Sequence, residues 1–425
     1  MTVSQSVAQS YPLRAGLRHP WTTFTALSLL FFLVSAGTFS SLGVVLPAMV
    51  RELHWSWAQA GMGYTILGVA CGLASFLPAI MIRRVGVRGT IACGTVLLVA
   101  GFGALAQTHV VWLYLAGALM IGAAFALTCT VPGTHVLTGL FTRRSTVIGA
   151  YFTIGALGGV AGPLVYVAVQ AITHGWRGYW MVFVIASVVL GAFAIATTPG
   201  RLEEEPAAHF PEQVGPLEMI ERLHDWTVQH ALRTSQFYVI VGAYTMYLLI
   251  NTTAHGFAVE HLTERGVDAG AAAGMLSLEA LIGAMFSVVG GVLGEKVSPK
   301  TMLLIALVSL TIGMVGLAEA RGYALMLVYA VGVGIGYGLS FIASTMLLFN
   351  YFGKKANLEL YSIMCLISTS AALGPAFGGW ARDTFGSFSG MFILCAAATF
   401  LMLIATIFVS PPVRETERAP RLGEV

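Results

Sequence analysis

Long apolar runs separated by short polar turns fill almost the whole chain. A helix rising 1.5 Å per residue needs about 20 residues to cross a hydrocarbon core about 30 Å thick. Runs of that order predict helices at 22–49, 58–82, 89–107, 111–140, 146–172 and 178–198. After a polar stretch at 199–235 they predict six more, at 236–260, 270–294, 301–319, 322–349, 358–381 and 387–410. The first run is about 28 residues long, against roughly 7–15 for a secretory signal core, so it predicts a retained membrane helix.

Composition sharpens this to an integral membrane protein. The chain is 57% hydrophobic and 10% charged, against about 45–50% apolar and about 25% charged residues in soluble domains. The net charge of +3 is small, and the basic residues sit in short clusters between apolar runs. They read as topology signals rather than a nucleic-acid surface. With both termini cytoplasmic, five of the 22 lysines and arginines (Arg51, Arg177, Arg265, Arg321 and Arg382) fall outside and the other seventeen inside. That asymmetry supports an all-α membrane protein of twelve helices in two six-helix bundles. The expected divisions are a cytoplasmic segment 1–20, bundles 21–198 and 236–410 joined by a cytoplasmic linker 199–235, and a tail 411–425. Within the linker, the acidic Glu203, Glu204 and Glu205 precede an amphipathic stretch 217–232 that predicts a partly helical, surface-lying segment.

The two halves echo each other. Arg83, Arg84, Gly86 and Arg88 follow helix two; Glu295, Lys296 and Lys300 follow helix eight. Phe141-Thr-Arg143-Arg144 leads into Gly155, Gly158, Gly159, Gly162 and Pro163, as Tyr351-Phe-Gly-Lys354-Lys355 leads into Gly374, Pro375, Gly378 and Gly379. Paired bundles around a midplane site are a common plan of secondary transporters.

The twelve-helix plan, the charged turns after helices two and eight and the Gly374-Pro375-x-x-Gly378-Gly379 of helix eleven resemble the major facilitator superfamily. Leu53-His54-Trp55-Ser56-Trp57, Phe141-Thr-Arg143-Arg144-Ser145 and Gly379-Trp380-Ala-Arg-Asp383-x-Phe-Gly386 are similar to its monocarboxylate-transporter-like branch. The resemblance implies alternating access and a small organic acid as substrate. Two positions depart from it. Arg83 stands where the superfamily usually carries an aspartate, and the arginine and aspartate expected on helix eight fall on Ser287 and Gly283.

Helix eight instead carries one ionisable side chain, Glu279, within AAAGMLSLEALIGAMFSVVGGVLGEKV at 271–297. A carboxylate left ionised and unpaired near a bilayer midplane costs a few kcal/mol or more. Three readings stand: a proton-coupling carboxyl, a cation-binding group, or a structural acid bonded between helices. His255 suits a proton relay or an interface facing outer water. Tyr244, Tyr247 and Asn251 share a face of helix seven, either lining a cavity or bonding between helices. Ser35, Thr38 and Ser41 on helix one, Tyr337, Ser340 and Ser344 on helix ten, and Tyr361, Cys365 and Ser368 on helix eleven repeat that spacing. Substrate-binding candidates are Ser35, Thr38, Thr128, Tyr151, Tyr244, Tyr247, Asn251, Glu279, Ser287, Tyr337, Ser340, Tyr361 and Cys365. Gating candidates are Arg83, Arg84, Arg88, His135, Glu295, Lys296 and Lys300, with Pro132-Gly133 expected to bend helix four.

No lysine or arginine stands in the middle of any predicted helix, so an acid-bearing cavity with no fixed cation favours a neutral or cationic substrate, or an anion held by hydroxyls and histidine. The five cysteines, Cys71, Cys93, Cys129, Cys365 and Cys395, show no disulfide or zinc spacing. Gly332-x-Gly334-x-Gly336-x-Gly338 lies in an apolar run, without the strand a nucleotide loop requires. The expectation is a proton-coupled secondary transporter that moves a small organic acid, monocarboxylate-like or aromatic and amphipathic, by alternating access, without cofactor, metal or enzymatic activity. It would be a monomer in a bacterial inner membrane. A proton-coupled exporter of a neutral or cationic compound is the alternative, and a non-transporting ligand sensor the remote one.

Overall fold

The computed structural model describes residues 19–141, 144–173, 175–199, 226–294, 296–353 and 357–412. Glu295, Lys354, Lys355, Arg143 and residues 200–225 of the linker lie outside them. The helices are α1 (Pro20–Leu53), α2 (Trp57–Ala74), α3 (Leu77–Ala106), α4 (Val111–Leu140), α5 (Arg144–Thr173) and α6 (Trp176–Thr197) in the first half. The second half has α7 (Ser235–Glu264), α8 (Ala269–Leu293), α9 (Pro299–Ala318), α10 (Tyr323–Phe352), α11 (Glu359–Phe385) and α12 (Ser389–Phe408). Among the described residues, eleven helices are long and apolar enough to cross a membrane, and α2, of 18 residues, holds the place of the second crossing.

The second crossing does not end where the hydropathy falls. Ser75 (φ −61°, ψ −23°) and Phe76 (φ −84°, ψ −20°) keep right-handed helical dihedrals, so α2 runs on into α3. The turn expected over 83–88 is made by Gly86 alone, at φ 78° and ψ 166°, a conformation that a Cβ would strain.

Three prolines set the other breaks. Proline cannot donate to the carbonyl four residues earlier, and its ring pushes that carbonyl away. The bend expected at Pro132-Gly133 therefore falls earlier, at Cys129 (φ −100°, ψ −88°). Pro375 leaves the Ala371 carbonyl free within a 3₁₀ turn, Thr369–Leu373, and Thr252 Oγ1 donates to it from α7 at 3.3 Å. Upstream of Pro47, α1 widens into a π-helical turn at Ala36–Ser40, where the Ser41 hydroxyl donates to the Ala36 carbonyl.

Packing repeats with the sequence. The pairs α2–α4, α3–α4 and α3–α6 recur as α8–α10, α9–α10 and α9–α12, and the halves meet through α2–α11, α5–α8 and α1–α7. The core of the first half centres on Trp180, fully buried and stacked on Phe102 at 5.9 Å. Trp180→Ala is expected to cost about 3–5 kcal/mol through the cavity it leaves, read as a lower unfolding temperature of the detergent-solubilised protein.

Candidate functional site

Asp268 caps α8 by accepting from the Ala271 N–H at 3.1 Å, and the apolar helix that follows carries Glu279 between the halves. Its side chain is 1% exposed, and Oε2 accepts from the Tyr329 hydroxyl of α10 at 2.9 Å. His255 of α7, Tyr337 of α10 and Tyr64 of α2 lie within electrostatic reach of the same carboxyl. Tyr64 belongs to the other half and donates its hydroxyl to the Phe39 carbonyl in the π-helical turn of α1. An acid in this position senses both halves.

His255 is buried too, and its backbone carbonyl abuts α1 so closely that a Cβ at Gly43 would lie 1.6 Å from it. Its Nδ1 lies 2.8 Å from the Asn251 backbone carbonyl and 3.1 Å from the Asn251 side-chain amide, so it donates to the first in one tautomer and accepts from the second in the other.

Below Glu279 the interior is lined by hydroxyl-bearing rings. A Cβ at Gly283 would lie 2.6 Å from Tyr337 Cδ1, so the place where the resemblance puts an aspartate is filled by this ring. Tyr337 contacts Tyr247 at 5.4 Å between centroids, and Tyr247 contacts Tyr244 at 5.5 Å. Tyr337, Tyr247 and Tyr244 thus form a continuous series of rings, and Tyr361 and Cys365 of α11 lie within electrostatic reach of Tyr244.

Other candidate side chains bond close to home. Thr38 Oγ1 lies 3.5 Å from the Ser35 carbonyl, Thr128 donates to Ala124 at 2.8 Å, and Tyr151 donates to Cys129 at 2.8 Å. Ser287 donates to the Gly283 and Gly338 carbonyls at 2.9 and 3.3 Å, across the α8–α10 contact. Ser340 is fully buried one turn from Gly336, whose face packs on Leu310 of α9. Of the gating candidates, Arg83, Arg84, His135 and Lys296 are exposed and Arg88 is half-buried. Lys300 donates to the Ile407 and Val409 carbonyls at 2.9 and 2.6 Å, closing the end of α12.

Reasoning from the sequence missed a closure between the halves at the end remote from Gly86. Both carboxylate oxygens of Asp383, at the end of α11, accept from the Trp57 and Ala58 N–H groups that open α2, at 3.0 and 2.8 Å. An acid on a helix N-terminus satisfies donors the helix cannot. Arg51 of α1 pairs with Glu260 of α7 at 2.7 Å, and Ala376 N donates to Thr65 Oγ1 at 3.2 Å. Trp57 inserts beside Phe257 and Phe388, at 6.1 and 5.3 Å. The available signal was Asp383 itself, an acid at the end of an otherwise apolar glycine helix. Among the described residues the buried acids and histidines are His255, Glu260, His261 and Glu279, and no lysine or arginine is buried.

Comparison with known proteins agrees with this architecture. The chain is 26% identical to monocarboxylate transporter 11 of Mus musculus over 407 residues, covering 89% of this chain and 84% of that one. It is 28% identical to monocarboxylate transporter 13 of Bos taurus over 372 residues, covering 84% and 80%. In fold it is similar to the nucleoside transporter NupG (TM-score 0.73, 13% identity, 91% of this chain and 99% of that chain). A POT family transporter solved with 5-aminolevulinic acid is similar as well (TM-score 0.71, 16% identity, 95% and 99%). The family model described as Major Facilitator Superfamily matches residues 27–364 and 247–424. The chain is therefore a multi-pass membrane transporter, not an enzyme, and belongs to the major facilitator superfamily.

Proposed function

We propose that this chain couples proton movement to the transport of a small organic acid by alternating access, with Glu279 as the protonated group and His255 as its partner. The observation that carries the reading is the buried Glu279 carboxyl, held by Tyr329 of its own half and facing Tyr64 of the other. Keeping such a group charged in a dry interior is costly, so uptake and loss of a proton accompany any change in its surroundings. Bundles 21–198 and 236–410 are the units that rock, and the Asp383–α2 and Arg51–Glu260 contacts close one side of the site. The charge distribution favours both termini in the cytoplasm, and the short loops and compact linker suit a bacterial inner membrane. The organic-acid part follows the distant likeness to monocarboxylate transporters.

A second reading has its own support. The lack of a buried lysine or arginine among the described residues leaves no strong anchor for a carboxylate, which favours a neutral or cationic substrate. A thermal-shift screen of purified protein against carboxylates, amines and neutral metabolites, at two pH values, separates the two. Carboxylates that stabilise wild type more at the lower pH, and Glu279→Gln equally at both, are the expected outcome. Stabilisation by amines or neutral compounds alone sinks the organic-acid reading.

A further inference from the structure

We propose that the hydroxyls of Tyr337, Tyr247, Tyr244 and Tyr361 form a proton path between Glu279 and the linker-side end of the carboxy-terminal half. The proposal rests on the reading of Glu279 as the coupling group. At 1% exposure and with the opposite end of the site closed, Glu279 meets no bulk water. A buried carboxyl can exchange its proton only through groups that accept and donate in turn, and a tyrosine hydroxyl does both.

The four tyrosines are ordered in depth. Tyr337 sits against Gly283, one turn from Glu279 toward the linker end. The next ring steps are 5.4 Å to Tyr247 and 5.5 Å to Tyr244, which lies one turn nearer the start of α7. Tyr244 then meets Tyr361, half-buried in the first turn of α11, with Cys365 beside it. Other groups facing Glu279 stand apart from this series: Tyr329, on the outer part of α10, holds the carboxyl, while His255 and Tyr64 flank it.

Transfer balances as a chain of exchanges. Glu279 gives its proton to a hydroxyl oxygen, each hydroxyl passes its own proton onward, and the last delivers one to water at the linker-side end. Every tyrosine is neutral before and after, and rotation of the hydroxyls resets the path. One proton leaves the carboxyl and one reaches water; loading the carboxyl runs the sequence backward.

Infrared spectroscopy tests this without a substrate. The carbonyl stretch of the protonated Glu279 carboxyl is identified by its loss in Glu279→Gln, and its shift in D2O times the arrival of deuterium. Tyr247→Phe and Tyr337→Phe, which keep the rings, are expected to slow that exchange by about tenfold or more, equivalent to one extra proton-transfer barrier. Tyr114→Phe, whose hydroxyl binds the Ala60 carbonyl in the other half, is expected to exchange as wild type does. Wild-type rates in both ladder variants overturn the proposal while the Glu279 reading stands. Equal slowing in Tyr114→Phe also overturns it, because the effect is then a general change in protein dynamics. If Glu279→Gln removes no band, the reading of Glu279 as the protonated group fails and the path fails with it.

Discussion

Glu279→Gln is expected to abolish accumulation driven by a pH gradient while exchange of substrate across the membrane continues. Glutamine has nearly the same shape, and its carbonyl oxygen can still accept from Tyr329, which donates to Glu279 Oε2 at 2.9 Å. It cannot take up or release a proton. For one proton per cycle, a gradient of one pH unit supplies about 1.4 kcal/mol, a tenfold accumulation. The variant should level off near equal concentrations inside and outside. Uptake into vesicles of the labelled compound that stabilises the protein best, with and without a pH gradient, measures both properties. Tenfold accumulation by Glu279→Gln would remove the carboxyl from the coupling step.

Gly379→Val carries the second large effect, on the closure between the halves. A Cβ at Gly379 would lie 2.0 Å from the Trp57 carbonyl oxygen, and the obstacle is backbone rather than a movable side chain. The α2–α11 crossing would have to widen by more than an ångström. Asp383, one turn along α11, would then lose the Trp57 and Ala58 N–H groups it now holds at 3.0 and 2.8 Å. Hydrogen bonds to a charged group contribute about 1.5–3 kcal/mol each. Two of them rival the few kcal/mol that separate conformations of a switching protein. The variant should stay open on this side. In a background without native cysteines, Thr65→Cys should react with an impermeant maleimide from the side opposite the linker at least about tenfold faster when Gly379→Val is present. Equal protection in the two proteins would show that the close crossing does not control access.

How much of this was readable in the sequence depends on which interactions are local. Helix positions follow from runs of apolar residues, so twelve places were legible, and so was Glu279, a single acid in an apolar run. Proline effects are local but displaced, which is why the bend expected at Pro132-Gly133 appears at Cys129. The turn at Gly86 was legible from Arg83, Arg84 and Arg88 around it, whereas the helical continuation of α2 through Ser75 and Phe76 into α3 carries no side-chain signal. Tyr329 and Tyr64 carry no periodic mark, and only the approach of α10 and α2 to α8 brings them to Glu279. Asp383 stands out in the sequence as an acid ending a glycine helix, but only the close approach of α2 to α11 gives it the Trp57 and Ala58 N–H groups. Lys300 illustrates the converse: its charge suggested a gate, while its ammonium closes the carbonyl end of α12.

The measurement that tests the central claim most directly is proton movement itself. Weakly buffered proteoliposomes are given the best-stabilising organic acid, and the external pH is followed together with uptake of the label. Wild type should take up protons in fixed proportion to the acid, and Glu279→Gln should move the acid with no protein-dependent pH change. Wild-type transport of the acid without proton uptake would contradict the account.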